Sequence, residues 1–386
     1  MREVEARLKI SAVDRTGKVL ANIGNKLKNV NDRAVGFNRT QSLIMSQLGY
    51  MARYVAPAAL GYEMVRATDK AGNFEESLFN IQKKSAASAE QMGKLGDEIR
   101  SLARSGDVVS TMDEIASAFE RGAAAGIPLD DLRNFAKLSV QVADSWDVSA
   151  EDAGNFFAGF NKGLGIPLKD MQQFASLIND LADSGISDEK DIADFIDRAG
   201  ASLKNFGMSP NEIAAYGAAL LNLKMPSDVA ARAMDTVTGK LLAPENLGKN
   251  ARTALGTIVG DLGKFAKLTG NQKLLFFLGK VEKLSSQKRA SLLGALLGEG
   301  FDDEIMRLVS GSDELRRNLE MAEKHTQNPS DSIAGVSEKK LELFNSRIKI
   351  MKNQLADIEL SLGQRMLPMA EKAVRGFSKY LADSDA

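Results

Sequence analysis

Four aspartates, Asp188, Asp191, Asp194 and Asp197, recur every third residue, and carboxylates grouped in this way could hold a divalent cation. Calcium, however, is taken by a loop that alternates oxygen ligands around a central glycine. No such loop surrounds these four, so a solvated acidic helix face is the simpler reading. His325 is the single histidine, and cysteine is absent. Disulfides, thiolate metal sites and cysteine nucleophiles are therefore excluded. His325 lies in a polar stretch with no Ser and Asp gathered around it, which makes it a surface side chain rather than a triad member. Glu76-Ser77 sets a carboxyl that could protonate a glycosidic oxygen beside a hydroxyl, yet no aromatic cluster accompanies it to hold a sugar. None of the Gly-Lys dipeptides is followed by Ser or Thr, and Gly163-Leu-Gly165 lacks the third glycine of a dinucleotide turn, so neither route to a bound nucleotide is present. Catalytic, cofactor-binding and metal-binding residues are all expected to be absent.

The charges suggest contacts instead of chemistry. The net charge is −1 over 386 residues, but residues 1–53 carry +6, residues 337–380 carry +4, the last six residues −2 and the middle, 54–336, −9. Basic ends thus flank an acidic centre. Lys26, Lys28, Arg33 and Arg39 could neutralise phosphate, though no stacking residues are interleaved with them. They read first as a solvated face, and second as a contact to an acidic partner or to DNA. The opening Met1-Arg-Glu-Val-Glu-Ala-Arg carries charge where an export signal would be apolar. The most apolar stretch, between Arg53 and Glu63, is about half of what a bilayer needs.

The elements that must position all this are helical. Aromatics make up only 6% of the chain, so Ala, Leu, Ile, Val and Met must fill the core. That composition suits closely packed helices better than sheets. The one exception is residues 4–12, whose strict alternation predicts a short strand, with a turn completing segment 1–16. From 17 to 73 the apolar residues Leu20, Ile23, Leu27, Val30, Ala34 and Phe37, then Ile44, Leu48, Met51, Val55, Ala58, Tyr62 and Val65, recur in steps of three and four, with only Gln41 breaking the series. A kink is expected near Pro57. The same rhythm returns over 337–386 at Leu341, Phe344, Ile348, Met351, Leu355, Ile358 and Leu362. Gly363 and Pro368 are expected to stop this helix, and a shorter one to follow. A sustained 3.5-residue repeat marks a coiled-coil seam. Both ends therefore read either as long helices packed on the core or as rods whose seams join copies of the chain.

Between them, segment 74–324 is expected to be a core of helical hairpins. Gly126–Ser145 and Gly165–Ser184 align with eleven identities in twenty positions, and a looser unit opens at Met208-Ser-Pro-Asn-Glu. Pro128 and Pro167 stand where a fixed φ starts a helix, and Ser149, Ser187 and Ser209 are N-cap candidates. Leu129, Leu132, Phe135, Ala136 and Leu138 form an apolar face that Leu168, Met171, Phe174, Ala175 and Leu177 repeat. One hairpin cannot bury such a face alone, so the units must stack. Residues 325–336 read as a polar linker.

In this order, the paired units at 126–146 and 165–185, the Gly207-Met-Ser-Pro-Asn-Glu-Ile unit and the closing Leu362-Gly…Leu367-Pro368 resemble phage tail tape-measure proteins, in particular their helical core region. The opening strand, turn and rod are similar to the start of that family. The resemblance implies an all-α, non-enzymatic protein needing no cofactor. It would lie inside the tail tube of the virion after assembly in the host cytoplasm, and its length would set that of the tube. Implied partners are further copies of itself, the tail-tube protein, assembly chaperones and tail-tip proteins, with transient contact to DNA and the host membrane at ejection. Family members are usually longer, and a compact core cannot also be fully extended. A short tail, a longer parent tape and a core that unwinds on packaging all remain open. Two other functions are compatible with the residues: a membrane-active protein using residues 54–62 and the Gly-rich helices of 253–298, and a helical-repeat scaffold for a partner protein.

Overall fold

A computed structural model describes residues 57–298 and 302–384. They are all-α, with seventeen α-helices and no strand among the described residues. The expected strand at 4–12 and the seam residues from Leu20 to Leu48 lie outside them.

The chain divides into two compact units. The larger, Ser77–Gln354, holds the hairpin core. Helix α1 (Pro57–Ser85) ends in this unit and is followed by α2 (Ala89–Ser105) and α3 (Met112–Ala124). Both α2 and α3 open on capping boxes, Ser88 with Gln91 and Thr111 with Glu114, which satisfy otherwise orphaned backbone N–H groups. The first repeat then supplies α4 (Leu132–Trp146) and α5 (Ala150–Gly159), the second α6 (Met171–Asp183) and α7 (Glu189–Phe206), and the looser third unit α8 (Pro210–Asn222) and α9 (Ser227–Leu242).

The repeats match in detail. Gly126 and Gly165 both take the left-handed backbone, with φ of 75° and 67°, ending the preceding helical segment where a side chain would be strained. Each proline leads into one 3₁₀ turn, Leu129–Asp131 or Leu168–Asp170, before the α-helix begins. Leu132, Phe135 and Ala136 are buried, as are Met171, Phe174 and Ala175, while Leu129 and Leu168 are half-buried. Leu177 is buried but its counterpart Leu138 only half-buried. A chain of rings joins the units: Phe135 meets Phe157 edge-on at 6.3 Å, Phe157 meets Phe160, and Phe160 meets Phe174 edge-on at 5.2 Å. The hairpins stack by sharing these rings. Ser149 and Ser209 cap their helices as expected. Ser187 does not: Asp188 takes the N-cap position without a side-chain bond, and the Ser187 N–H donates instead to Asn222 Oδ1 at 2.9 Å.

The Gly-rich stretch becomes α10 (Lys249–Val259), α11 (Leu262–Ala266), α12 (Gly270–Glu282) and α13 (Ser286–Leu297). After them come α14 (Asp302–Ser310), α15 (Ser312–Gln327), α16 (Ser332–Glu342) and α17 (Phe344–Ser384). Two expectations are corrected here. Residues 325–336 are not a free linker, because His325 is buried at the end of α15 and Ile333 is fully buried in α16, which packs on α4 and α6. A run of polar residues looks like a linker until its polar atoms are given partners in the core. Nor do Gly363 and Pro368 stop the last helix, which runs through both.

The reason for the glycine lies in the smaller unit, whose described residues are 57–76 and 355–384. A Cβ on Gly363 would overlap the Ala67 carbonyl and stand 3.0 Å from the Ala71 Cβ. The glycine marks a close helix crossing, lined by buried Ala67, Ala71, Phe74 and Leu360. Lys70 pairs with Glu359 beside it.

Candidate functional site

The expected seam can be placed only from Leu341 onward, where the structure leaves it half-buried to exposed. Leu343, between α16 and α17, has an extended backbone (ψ 141°) and accepts from the Arg347 N–H at 3.0 Å, which resets the helix. Beyond it Phe344 is 76% exposed, and Met351 and Leu355 are each 49% exposed. Leu341, Ile348, Ile358 and Leu362 are half-buried. The residues that the last helix buries are Ser346, Asn353, Asp357 and Leu360, a face that is mostly polar. Among the described residues, the fully buried face of this helix is thus not the expected apolar seam.

Polar groups hold this segment on the hairpin core. Ser330 donates to Asp180, Gln172 to Asp331 (2.6 Å), Ser332 to the Ser176 carbonyl (3.1 Å) and Lys340 to the Asp144 carbonyl. Asn353 donates to the Ser110 carbonyl at 2.8 Å, and Gln354 to the Arg104 carbonyl at 3.3 Å. Lys349 lies 3.3 Å from Glu114. Burial would raise the Glu114 carboxyl, but the Thr111 N–H and Lys349 hold it below the usual range. For Asp144 burial wins, and its carboxyl is raised against the pull of Lys349 and Lys340. The carbonyls in the 104–110 stretch need donors from outside their own helix, and α17 supplies them from the face that the apolar pattern leaves out.

A second surface feature was not foreseen. Helices α8, α12, α14 and α15 enclose an open groove of about 800 Å³. Leu275, Leu278, Leu308, Leu315 and Leu319 line its floor, and Glu212, Glu282, Glu320, Glu323 and a single Arg316 its rim. Arg316 is shared between Glu282 (3.8 Å) and Asp313 (3.1 Å). Glu320 and Glu323 have no ion-pair partner among the described residues. The spacing of Leu315, Leu319 and Ala322 with Glu320 and Glu323 was visible in the sequence, but that three other helices meet there was not.

The remaining candidates are placed as follows. Asp188, at the N-cap of α7, and Asp191 and Asp197 within it are exposed. Asp194 is committed elsewhere, accepting from Arg198 at 2.8 Å and Ser227 at 2.6 Å. Among the described residues no group of His, Asp and Glu could hold a metal ion. His325 is not the expected surface side chain; its Nδ1 accepts from the Ser330 N–H at 3.4 Å and lies 4.0 Å from Asp180. No described helix is long and apolar enough to cross a membrane. The Gly-rich helices bury Leu255, Leu274, Phe277, Leu293 and Leu296 within the fold.

No curated protein and no solved structure matches the chain. A family model, described as phage-related minor tail protein, matches residues 96–298, from α2 through the hairpin units to the end of α13. That is more than half of the chain, and on this match the protein belongs to the phage-related minor tail protein family.

Proposed function

We propose that this protein is a tail tape-measure protein, a structural ruler that sets tail-tube length and takes part in tail assembly and genome ejection without catalysing a reaction. The observation that carries the reading is the family match over the hairpin core, flanked on both sides by heptad-patterned sequence. Helix rises about 1.5 Å per residue, so a heptad rod converts chain length into distance. In this reading the protein occupies the tube lumen of the virion tail after assembly in the host cytoplasm. Its copies associate through the apolar stripe that includes Phe344, Ile348, Met351, Leu355, Ile358 and Leu362, together with the N-terminal series from Leu20 to Leu48. It engages the tube protein, assembly chaperones and tail-tip proteins, and meets DNA and the host membrane only in transit. The outward stripe supports this, since burying a polar face and leaving Phe344 in water costs stability unless something else covers it. The folded hairpin core does not itself act as an extended ruler, which leaves the rods to carry the measurement.

The test is tail length. Deleting residues 20–47 in frame shortens tails by about 40 Å for a single helical span, and duplicating them lengthens tails equally. Tails of unchanged length in electron micrographs of both phages would contradict the ruler.

A further inference from the structure

The outward stripe and the acidic groove are complementary surfaces of one folded unit. The stripe offers Leu343, Phe344 and Met351, 56%, 76% and 49% exposed. Arg347 and Lys352 stand exposed alongside them, without ion-pair partners among the described residues. The groove offers an apolar floor, with Leu275 38% exposed. Its rim carries four glutamates against one arginine, and Glu320 and Glu323 have no ion-pair partner among the described residues. An amphipathic helix laid in an apolar groove, with charges matched across the rim, is a recurrent recognition mode. Within its own chain the start of α17 is held against a different part of the core, and no α17 residue lines the groove. Asn353 ties its helix to the Ser110 carbonyl, and Lys349 ties it to Glu114.

We propose that the groove between α8, α12, α14 and α15 receives the start of α17 from a second copy of this chain. Phe344 and Met351 enter the apolar floor, and Arg347 and Lys352 pair with Glu320 and Glu323. The contact is heterologous: each copy presents a stripe to one neighbour and a groove to another. Successive copies therefore close into a ring or extend as a filament, rather than stopping at a two-fold dimer. This rests on the reading that the stripe associates copies. It adds that the stripe meets a groove and not another stripe.

The experiment is sedimentation of the full chain over a range of concentrations and salt. Three variants are compared: Phe344→Asp, the pair Glu320→Lys with Glu323→Lys, and the pair Arg347→Glu with Lys352→Glu. Each should weaken association about tenfold or more, and joining the two charge-reversed pairs in one chain should restore most of it. Wild-type association should weaken in high salt. A wild type that stays monomeric overturns the proposal, as does a groove variant that associates normally or a charge swap that fails to restore. If Phe344→Asp dissociates the protein while the groove variant does not, stripes pair with each other, and the tape-measure reading stands without this one. A photo-crosslinker at position 344, in mixed heavy- and light-isotope chains, gives a readout that does not depend on variant stability. Intermolecular links to Leu275 or Leu319 support the contact, and links only to α17 of the other copy overturn it.

Discussion

Asn353 donates its side-chain amide to the Ser110 carbonyl at 2.8 Å, across 243 residues of sequence. This bond fixes which face of the last helix turns inward. It ties the helix to the loop before α3 through a polar residue, while Phe344, Met351 and Leu355 of the same helix are left exposed.

Asn353→Ala should release that end. The Ser110 carbonyl, and that of Val109 at 3.5 Å, would lose a buried donor, at a cost of about 1–3 kcal/mol. Hydrogen exchange should quicken across residues 332–354 and stay slow in α4 and α6. Unchanged exchange in 332–354 would show that other contacts hold the segment.

Gly217 should not tolerate a side chain. A Cβ there would stand 2.5 Å from the Phe195 ring, and one at Gly122 would stand 2.7 Å from Leu132 and 2.8 Å from Phe135. Each Gly→Ala change should cost about 1–3 kcal/mol by overpacking. Gly93 is exposed inside α2 with nothing within 4 Å, so Gly93→Ala should stabilise by about 0.5–1 kcal/mol. Urea unfolding of the three variants checks both signs.

Gly363→Ala should open the helix crossing in the smaller unit. What its Cβ would meet is the Ala67 backbone, which cannot rotate away as a side chain can. Faster exchange and proteolysis at residues 57–76 and 355–370 are expected. A variant protected like the wild type would mean that the crossing shifts without loss.

Acid should loosen the segment around His325. Burial holds this imidazole below its ordinary range, against the upward pull of the Gln173 backbone and of Asp180. The unfolded chain therefore takes up a proton first. The stability tied to neutral His325 is complete above about pH 6.5 and is lost as pH falls through the lower folded value. His325→Gln should flatten that part of the curve. If wild type and variant run parallel from about pH 7 to pH 5, the histidine does not contribute.

The sequence by itself determined the all-α class, the paired hairpins and most of their caps. These depend on short-range chemistry: a glycine that alone enters the left-handed region at 126 and 165, a proline that starts the next turn, a Ser–Glu box at 209 and 212. An apolar face such as Leu132, Phe135 and Ala136 needs only its own helix to be recognised. The same local reading erred where a residue's partner is distant. His325 and Ile333 looked like part of a linker because their neighbours are polar, and Gly363 looked like a stop because the helix it touches lies almost three hundred residues earlier. Periodicity marked the stripe from Leu341 to Leu362 as a seam, and it could not tell which face the fold would bury. Tertiary structure decided that, because unpaired loop carbonyls near Ser110 demanded donors and Asn353 could supply them. It also made the acidic groove, which exists only because α8, α12, α14 and α15 converge from different stretches of the chain.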